Sequence, residues 1–441
     1  MNTASSPPAW RVAVVGAGWA GLAAAVRCTQ AGHHVSLFDT TDVPGGRARS
    51  VPAATAAGAT LDNGQHILIG AYTRCLDLMR SVGVDPATAL KRLPLVLRHA
   101  DGRGLQLGSG PPLWAFSWAV LRARGWGWRD KLALLRTATA WLLRGFRCAP
   151  DATVARLCKH LPAAVRQLLI DPLCVAALNT PAEAASGAVF LRVLRDALFS
   201  GRGSADLLLP QVGLGDLLPA PACTWLAQHG ATLHWRRRVQ QLQAPGTGQR
   251  GWRLDGEAFD AVVLACSAAE AARLTQAQQP AWAATAAAFS YEPIVTVYLQ
   301  AQPAQAWPAP MLALQEGPNA PAQFAFDHGA LGGPPGRYAL VVSGAAPWVA
   351  QGLEATAQAT LAQTAQLLPG AQVLRTLAEK RATFRCTPHL QRPPAAIAPG
   401  LWAAGDYVQG PYPATLEGAV RAGENAAAEI SVCSQAFRDA K

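Results

Sequence analysis

The chain has 441 residues, of which 51% are hydrophobic and only 15% are charged. A charged fraction so far below the usual figure of about 25% excludes an extended disordered protein. No window approaches the roughly 18 uncharged apolar residues of a spanning helix, and no basic segment precedes the apolar stretch 12–26. We therefore expect neither a membrane span nor a signal peptide. Nine cysteines without CxxC spacing indicate reduced thiols and a cytoplasmic protein.

The N-terminal residues follow the pattern of a dinucleotide-binding unit. A short β-branched strand, 11–15, runs into a glycine-rich turn, 16–21, then a helix, 22–31, and a second strand, 34–39. In the turn, the first glycine permits a tight bend, the second lets backbone approach a pyrophosphate, and the third allows close helix–strand packing. The helix start offers N–H groups to phosphate, and an acid ending the second strand can bind ribose. The predicted contacts are Gly16, Gly18, Trp19, Ala20, Gly21 and Asp39.

The rest of the chain alternates between helical and strand patterns. We predict helices over 86–199, 355–368 and 415–431, and strands over 231–239, 252–254, 258–266, 293–299, 323–327, 337–342 and 401–404. The fold class is α/β: a discontinuous Rossmann-type FAD-binding domain with an interleaved substrate domain of helices and antiparallel sheet. The predicted boundaries are FAD-binding parts 1–85, 205–275 and 391–441, a helical part 86–204, and a substrate-domain sheet and helix 276–390.

Two further glycine turns indicate which dinucleotide cofactor the chain is expected to bind. Gly45 and Gly46 stand beside Arg47 and Arg49, which suits a large ligand with a diphosphate. Near the C-terminus, Gly405-Asp406 opens a second anion-binding turn before the last helix. Both additions favour FAD over NAD.

With these turns, the chain resembles the flavin-containing amine oxidase and phytoene desaturase superfamily. Within it, five segments are similar to the hydroxysqualene dehydroxylases of bacterial hopanoid synthesis. They are Asp62–Tyr72, Asp171–Thr180, Ala205–Pro210, Glu379–Phe384 and Pro413–Ala419. Relatives often carry Glu where this chain has Asp39, but the shorter acid can still reach a ribose.

The resemblance implies that reduced FAD reduces hydroxysqualene to squalene. An unidentified electron donor would reduce the FAD. Loss of the hydroxyl needs a proton, so a general acid is expected near the C–O bond. His66 and Asp62 are the candidate acids, and Asn179 and Asp171 are second candidates for contact with the substrate hydroxyl. Each has a structural alternative: a turn-bonded Asp62, a buried histidine, or helix capping by the second pair. Further predicted cofactor contacts are Gly64, Gln65, His66, Val239, Thr415, Leu416, Glu417 and Ala419.

Other functions stay open at this point. A carotenoid or phytoene desaturase would use the flavin in the oxidising direction. An amine oxidase would be expected to have an aromatic cage near the flavin. The chain has only six tyrosines, which argues against this alternative. A flavoprotein scaffold without activity is a third alternative. The nine histidines lack ligand spacing, so no metal site is predicted.

The net charge of +11 is concentrated in one segment. Residues 111–147 hold seven basic residues against one acidic residue, and five of the 14 tryptophans. Because Trp favours the membrane interface and Arg pairs with lipid phosphate, we predict a peripheral contact with the anionic inner face of the cell membrane. This contact would also be the entrance for a bilayer-dissolved substrate. The alternatives are an amphipathic helix pair with solvated arginines, or a nucleic-acid surface, which no nucleic-acid-binding motif accompanies.

Overall fold

The computed structural model describes residues 9–52, 60–108, 110–246 and 251–439. The strands in this part are β1 (Arg11–Val15), β2 (His34–Phe38), β3 (Ser50–Pro52), β4 (Thr60–Asp62), β5 (Leu68–Ile69), β6 (Leu90–Leu93), β7 (Val96–Arg98), β8 (Gly104–Gln106), β9 (Leu207–Pro210), β10 (Thr232–His234), β11 (Leu242–Gln243), β12 (Trp252–Leu254), β13 (Glu257–Phe259), β14 (Ala261–Leu264), β15 (Tyr291–Gln300), β16 (Met311–Ala313), β17 (Phe324–Asp327), β18 (Arg337–Val342), β19 (Gln372–Phe384), β20 (Ala396–Ala398) and β21 (Leu401–Ala403).

The helices of the described residues are α1 (Trp19–Gln30), α2 (Thr73–Ser81), α3 (Pro86–Ala89), α4 (Pro112–Arg122), α5 (Trp128–Leu143), α6 (Val154–Leu157), α7 (Ala163–Val165), α8 (Asp171–Leu178), α9 (Gly187–Phe199), α10 (Leu214–Leu217), α11 (Pro219–Gln228), α12 (Ala268–Thr275), α13 (Pro280–Ala287), α14 (Ala346–Gln351), α15 (Leu353–Gln363) and α16 (Leu416–Asp439). A π-helical turn, Arg166–Ile170, leads directly into α8. No helix among them combines the length and hydropathy needed to cross a bilayer.

The nucleotide side of the molecule is a six-stranded sheet in the order β10-β2-β1-β14-β21-β20. Its strands pair in parallel except for β20 against β21. The apolar residues of β1 and β14 are buried, as expected for central strands covered on both faces. Because the strands come from three separate stretches of chain, the sheet is discontinuous. The predicted α/β architecture is confirmed.

The other side is a five-stranded antiparallel sheet in the order β16-β17-β18-β15-β19. Its strand β19 has 13 residues and was not predicted, because its mixed charged and apolar side chains give no simple alternation. One face of the sheet packs on the main core. The other face forms a second, smaller core with the helix pair that follows β18.

The segment predicted as wholly helical also contains strands. Between α3 and α4 the chain forms β6, β7 and β8, and β6 pairs with β9 in a small sheet with β5. These strands are short and β6 carries Lys91 and Arg92, so tertiary pairing decides their conformation rather than local propensity. In this sheet, Ile69 and Leu207 line the same internal cavity as residues of α8 and α9.

The last helix is packed tightly on the first one at Gly423. A Cβ on this residue would lie 2.1 Å from the carbonyl oxygen of Ala20, in the first turn of α1. We expect Gly423→Ala to lower the free energy of unfolding by about 1–3 kcal/mol because the helices must separate. Helix propensity alone would predict the opposite sign, since Ala is favoured over Gly.

Denaturant unfolding of this variant measures the effect. Gly201→Ala is the matched control, because a Cβ there has no atom within 4 Å. Unchanged or increased stability of Gly423→Ala would contradict the proposed close packing.

Candidate active site

Gly16 and Gly21 of the first turn are fixed by backbone packing, whereas Gly18 faces open space. Gly16 has a φ of +110°, and a Cβ there would lie 2.7 Å from the Ala265 carbonyl oxygen. A Cβ on Gly21 would lie 1.8 Å from the Gly16 carbonyl oxygen. By contrast, a Cβ on Gly18 would meet nothing closer than Gly46 Cα, at 4.0 Å. The absence of a side chain at Gly18 therefore leaves room for a ligand.

The start of α1 presents backbone groups to the same space. Trp19 and Ala20 line the cavity, but the indole Nε1–H of Trp19 donates to the Ala48 carbonyl at 3.2 Å and so faces the protein. The first N–H groups of a helix have no partner within the helix, and the helix dipole makes this end positive. The two residues are thus placed to offer N–H groups to an anion.

The carboxylate of Asp39 is held in position by the turns around it. Its Oδ2 accepts the Ala17 N–H at 2.7 Å, and its Oδ1 accepts the N–H and the hydroxyl of Thr41 at 2.8 and 2.9 Å. Because a carboxylate oxygen can accept two hydrogen bonds, Oδ2 keeps capacity for a ribose hydroxyl.

The second glycine pair packs directly on the first turn. The Gly45 N–H donates to the Ala17 carbonyl at 2.8 Å, and Gly46 takes a left-handed φ of +61°. A guanidinium nitrogen of Arg49 bonds the Gly46 carbonyl. Arg47 reaches across the cavity, where Nη2 donates to Asp406 Oδ1 at 2.6 Å and Nη1 to the Ala382 carbonyl at 2.9 Å.

Arg392 holds the C-terminal turn in place. Its guanidinium donates to the carbonyls of Asp406, Gly410 and Tyr412 at 2.5, 2.9 and 2.7 Å. The turn that begins at Gly405 is therefore fixed from outside while the buried Asp406 side chain bonds Arg47. Arg392 could not be recognised as a site residue from the sequence, since it lies in an irregular segment next to Pro393 and Pro394.

The last helix begins at the cavity, but the side chain of one predicted contact there bonds another helix. Thr415 caps the helix by accepting the Gly418 N–H at 3.1 Å, which leaves the N–H groups of Leu416 and Glu417 directed at the site. The buried Glu417 carboxylate accepts the N–H groups of Arg74 and Cys75 at 3.2 and 3.0 Å. Glu417 therefore caps α2 with its side chain. Ala419 and Leu416 line the cavity.

Val239 lies in the segment that follows β10. It lines the cavity, and its carbonyl accepts Arg273 Nη2 at 2.6 Å. Arg273 and Arg238 both pair with Glu270, and these contacts lower the pKa of Glu270 to about 2. A charged cluster thus fixes the backbone at this edge of the site.

The first of the candidate acids, Asp62, has a structural role in this geometry. Its Oδ1 accepts the Ser50 hydroxyl at 2.8 Å and the Leu214 N–H at 2.9 Å, while its carbonyl accepts the Tyr298 hydroxyl at 2.9 Å. Burial raises its pKa. Asp62 does not belong to the residues that line the cavity.

His66 does face the cavity. Its Nδ1 lies 2.9 Å from the Gly64 carbonyl, which makes Nδ1 the protonated nitrogen of the neutral ring and leaves Nε2 as an acceptor. Burial lowers the pKa of His66, and the charge of Arg47 adds to that effect. The neighbouring Gln65 also lines the cavity and is held by His328, whose Nε2 lies 3.0 Å from Gln65 Oε1.

The two candidates for contact with the substrate hydroxyl lie in and after α8. Asn179 ends the helix with a φ of +46° and is buried. Its Nδ2 donates to the Glu292 carbonyl and to Thr383 Oγ1, and its Oδ1 accepts the Gly344 N–H. This amide therefore joins α8 to the antiparallel sheet. Asp171, at the start of α8, is not among the cavity-lining residues.

These segments enclose one continuous cavity of about 980 Å³. All of the predicted cofactor contacts except Gly21 line it. Beyond the glycine turns the cavity continues between α8, α9 and the antiparallel sheet. We call this part of the cavity, whose walls are apolar, the substrate side. Lining residues there include Leu95, Leu173, Leu194, Met311, Phe324 and Phe326.

Sequence reasoning missed several polar residues of this cavity. Glu379 accepts the Asn63 amide at 3.1 Å, and the Tyr412 hydroxyl donates to Asp196 at 2.9 Å. Tyr407 is 5% exposed, and its hydroxyl has no hydrogen-bond partner in the described part of the chain. Since buried polar groups are normally paired, this hydroxyl fits a ligand that brings the missing partner.

Comparison with known proteins agrees with this geometry. Residues 19–431 match the family model described as flavin containing amine oxidoreductase. The chain belongs to this family. It is therefore a flavin-dependent oxidoreductase, and the free anion-binding turns and the unpaired Tyr407 hydroxyl fit a flavin nucleotide.

Individual proteins resemble the chain to different extents. The chain is 29% identical to a hydroxysqualene dehydroxylase of Rhodopseudomonas palustris over 94% of this chain and 97% of that protein. It is 27% identical to a zeta-carotene desaturase of Synechocystis over 54% of this chain and 51% of that protein. Cyclohexylamine oxidase from Brevibacterium oxydans shares the fold, with a TM-score of 0.66, 18% identity, and coverage of 96% and 99%. The resemblance to hydroxysqualene dehydroxylases is confirmed.

The low number of tyrosines does not argue against an aromatic site in this family member. Four of the six tyrosines line the cavity, namely Tyr72, Tyr291, Tyr407 and Tyr412. The amine oxidase alternative must be judged from the apolar walls of the substrate side instead. Among the described residues no group of His, Cys, Asp or Glu has the arrangement of a metal site.

Gly18 provides a direct test of the flavin site. Gly18→Val should leave the fold intact, because nothing in the protein lies within 4.0 Å of the new Cβ except Gly46 Cα. The branched side chain would occupy the ligand's space, so the purified protein should lose its bound flavin. Visible absorbance measures flavin content and circular dichroism measures the fold. A folded Gly18→Val protein with a full complement of flavin would contradict this site assignment.

Proposed function

We propose that this chain catalyses the FAD-dependent reductive dehydroxylation of hydroxysqualene to squalene. The C–O bond of the alcohol breaks, a C–H bond forms with a hydride, and a proton joins the leaving hydroxyl to give water. When bound, the reduced flavin supplies the hydride. The observation that carries the proposal is the single cavity that joins two anion-binding glycine turns to an apolar region.

FAD is the proposed form of the flavin because the site extends well beyond a single phosphate. The turn at Gly18, the start of α1 and the ribose-compatible Asp39 suit an adenosine diphosphate half. The N–H groups at the start of α16 lie at the other turn, where a positive helix end would stabilise negative charge on the reduced ring.

A long hydrocarbon substrate is supported by the walls of the substrate side. Side chains from α8, α9 and the antiparallel sheet line it, and few of them are polar. A small polar amine would gain little from such walls, since apolar burial is the main contribution that they offer. The relatives named hydroxysqualene dehydroxylase act as further support for a prenyl alcohol.

We assign His66 as the proposed proton donor. Of the four candidate catalytic residues, His66 and Asn179 line the cavity, and the Asn179 amide, which is not an acid, is already hydrogen-bonded through both its oxygen and its nitrogen. The protonated form of His66 must act, and its pKa is lowered from 6.5. The rate of the chemical step should therefore rise as the pH falls below 6.5 towards that pKa.

The test follows reoxidation of anaerobically reduced enzyme by hydroxysqualene, with squalene measured in the same samples. We expect one squalene for each flavin reoxidised. His66→Gln should retain flavin, lose the rise at low pH, and slow this step by about 10²–10⁴-fold. His99→Gln is the matched control, because His99 is buried outside the cavity lining.

Two results would overturn parts of the proposal. A normal rate and pH profile in flavin-replete His66→Gln would remove His66 as the acid. Failure of hydroxysqualene to reoxidise the parent enzyme, together with reduction of oxidised enzyme by a polyene, would instead indicate a carotenoid-type desaturase.

We further propose that α4 and α5 contact the anionic inner face of the cell membrane. Of twelve exposed large hydrophobic residues in the described chain, eight lie on these two helices. Trp114, Trp118 and Trp128 are among them, with exposures of 77%, 56% and 75%. Only these three of the five predicted tryptophans are available, because Trp126 and Trp141 are buried in the core.

Basic side chains surround these exposed tryptophans. The Arg122 guanidinium lies over the Trp118 ring at 4.5 Å, and the Lys131 amine over the Trp128 ring at 5.4 Å. Arg124 and Arg129 are exposed nearby. An apolar surface with a basic margin is typical of a monotopic membrane contact.

Vesicle sedimentation distinguishes the contribution of the exposed tryptophans from that of the basic side chains. Replacing Trp114, Trp118 and Trp128 by Ser should weaken binding to neutral and anionic vesicles alike. Replacing Arg122, Arg124 and Arg129 by Glu should weaken only salt-sensitive binding to anionic vesicles, since each basic residue contributes about 1 kcal/mol there. The control replaces the exposed Leu353 and Val432 by Ser. Equal sedimentation of all variants would contradict the proposed contact.

A further inference from the structure

A second, small void lies beside the apolar end of the main cavity. Its volume is about 30 Å³ and its walls among the described residues are entirely apolar. Four leucines line both the void and the cavity, so leucine side chains separate the two spaces. They are Leu95, Leu173, Leu194 and Leu198.

The far wall of the void is aromatic. Phe199 lies at its centre, with its ring 5.1 Å from Phe146 and 6.3 Å from Phe116, and Trp141 completes the wall. Phe116 belongs to α4 and Trp141 to α5, so the void lies directly under the proposed membrane contact. Aromatic and branched aliphatic side chains form a surface that suits methyl-branched alkene units.

Unusual backbone accompanies this wall. Phe146 has a φ of +57°, which is rare for a bulky residue. Leu169, also in the wall, belongs to the π-helical turn Arg166–Ile170, and such turns occur frequently at functional sites. Strained local geometry tends to persist where a site requires it.

The volume of the main cavity gives an independent reason for additional space. Pockets of roughly 300–1,000 Å³ hold one drug-sized ligand. The cavity of about 980 Å³ would have to contain a flavin dinucleotide and a 30-carbon chain at the same time. Space adjoining the apolar end would therefore add to the room available for an extended hydrocarbon.

We propose that the void is a binding subsite for one terminal isoprenoid unit of the substrate, and that the separating leucines and Phe199 rotate to admit it. This inference rests on the proposed function for the identity of the hydrocarbon chain. The subsite would select for chain length, because a shorter prenyl alcohol would fill the main cavity without reaching the void.

The test compares the binding of squalene and of the 15-carbon alcohol farnesol to oxidised, flavin-loaded enzyme, measured by partition from detergent micelles. Ala138 faces the void but does not line the main cavity, so Ala138→Phe fills the subsite alone. We expect this variant to bind squalene roughly 10- to 100-fold more weakly, as for one lost branched unit, and to bind farnesol normally. Ala140→Phe, on the same helix but outside the void, should match the parent.

Phe199→Ala tests the same inference with the opposite sign. It enlarges the void, so squalene should bind more tightly while farnesol is unchanged. Unchanged squalene binding in both variants, or equal losses for squalene and farnesol, would overturn the subsite. A parent enzyme that binds neither prenyl compound would instead overturn the proposed function. Binding is measured without turnover, so the two failures are distinguishable.

Discussion

The ion pair between Arg47 and Asp406 is the contact around which the site is assembled. It joins turns that are 359 residues apart in the chain, at a nitrogen–oxygen distance of 2.6 Å. The other terminal nitrogen of Arg47, Nη1, donates to the Ala382 carbonyl on β19. One guanidinium therefore connects the nucleotide turn, the C-terminal turn and the antiparallel sheet. Because Asp406 is buried, removing Arg47 would leave an uncompensated charge in the interior. The discontinuous fold depends on such connections, since its three nucleotide segments are covalently distant.

Closing the site in this way places the glycine turns and the apolar walls around one space. The same enclosure affects the groups within it. Burial lowers the pKa of His66 and raises those of Tyr407 and Asp62. In the proposed reaction, ligands that fill this cavity would displace water and so protect the reactive carbon centre during hydride transfer. The exposed tryptophans lie on the helices that cover the apolar end, which is consistent with a substrate that dissolves in lipid.

Local sequence signals predicted the nucleotide unit well because each of its constraints is local. A β-branched strand, three glycines at fixed spacing and an acid at a strand end describe β1, α1 and β2 almost completely. Strand β18 was likewise predicted at its observed bounds, since its apolar run is continuous. In these elements, propensity and tertiary structure favour the same conformation.

Long-range pairing decided the features that the sequence did not reveal. Strands β6 and β19 form because partners exist for them, not because of their own alternation. Glu417 lies in the first turn of α16, yet its side chain bonds α2, which is more than 340 residues away in the chain. Composition also cannot distinguish exposed from buried tryptophans, as Trp126 and Trp141 show.

The central claim is that reducing equivalents pass to the carbon that carried the hydroxyl group. Deuterium incorporation tests it most directly. Enzyme reduced anaerobically in D₂O exchanges its transferable flavin hydrogen with solvent, and one turnover of unlabelled hydroxysqualene is then analysed by mass spectrometry. The account predicts squalene with one carbon-bound deuterium at the former hydroxyl carbon. Squalene without deuterium, or no squalene at all from fully reduced and substrate-saturated enzyme, would contradict it.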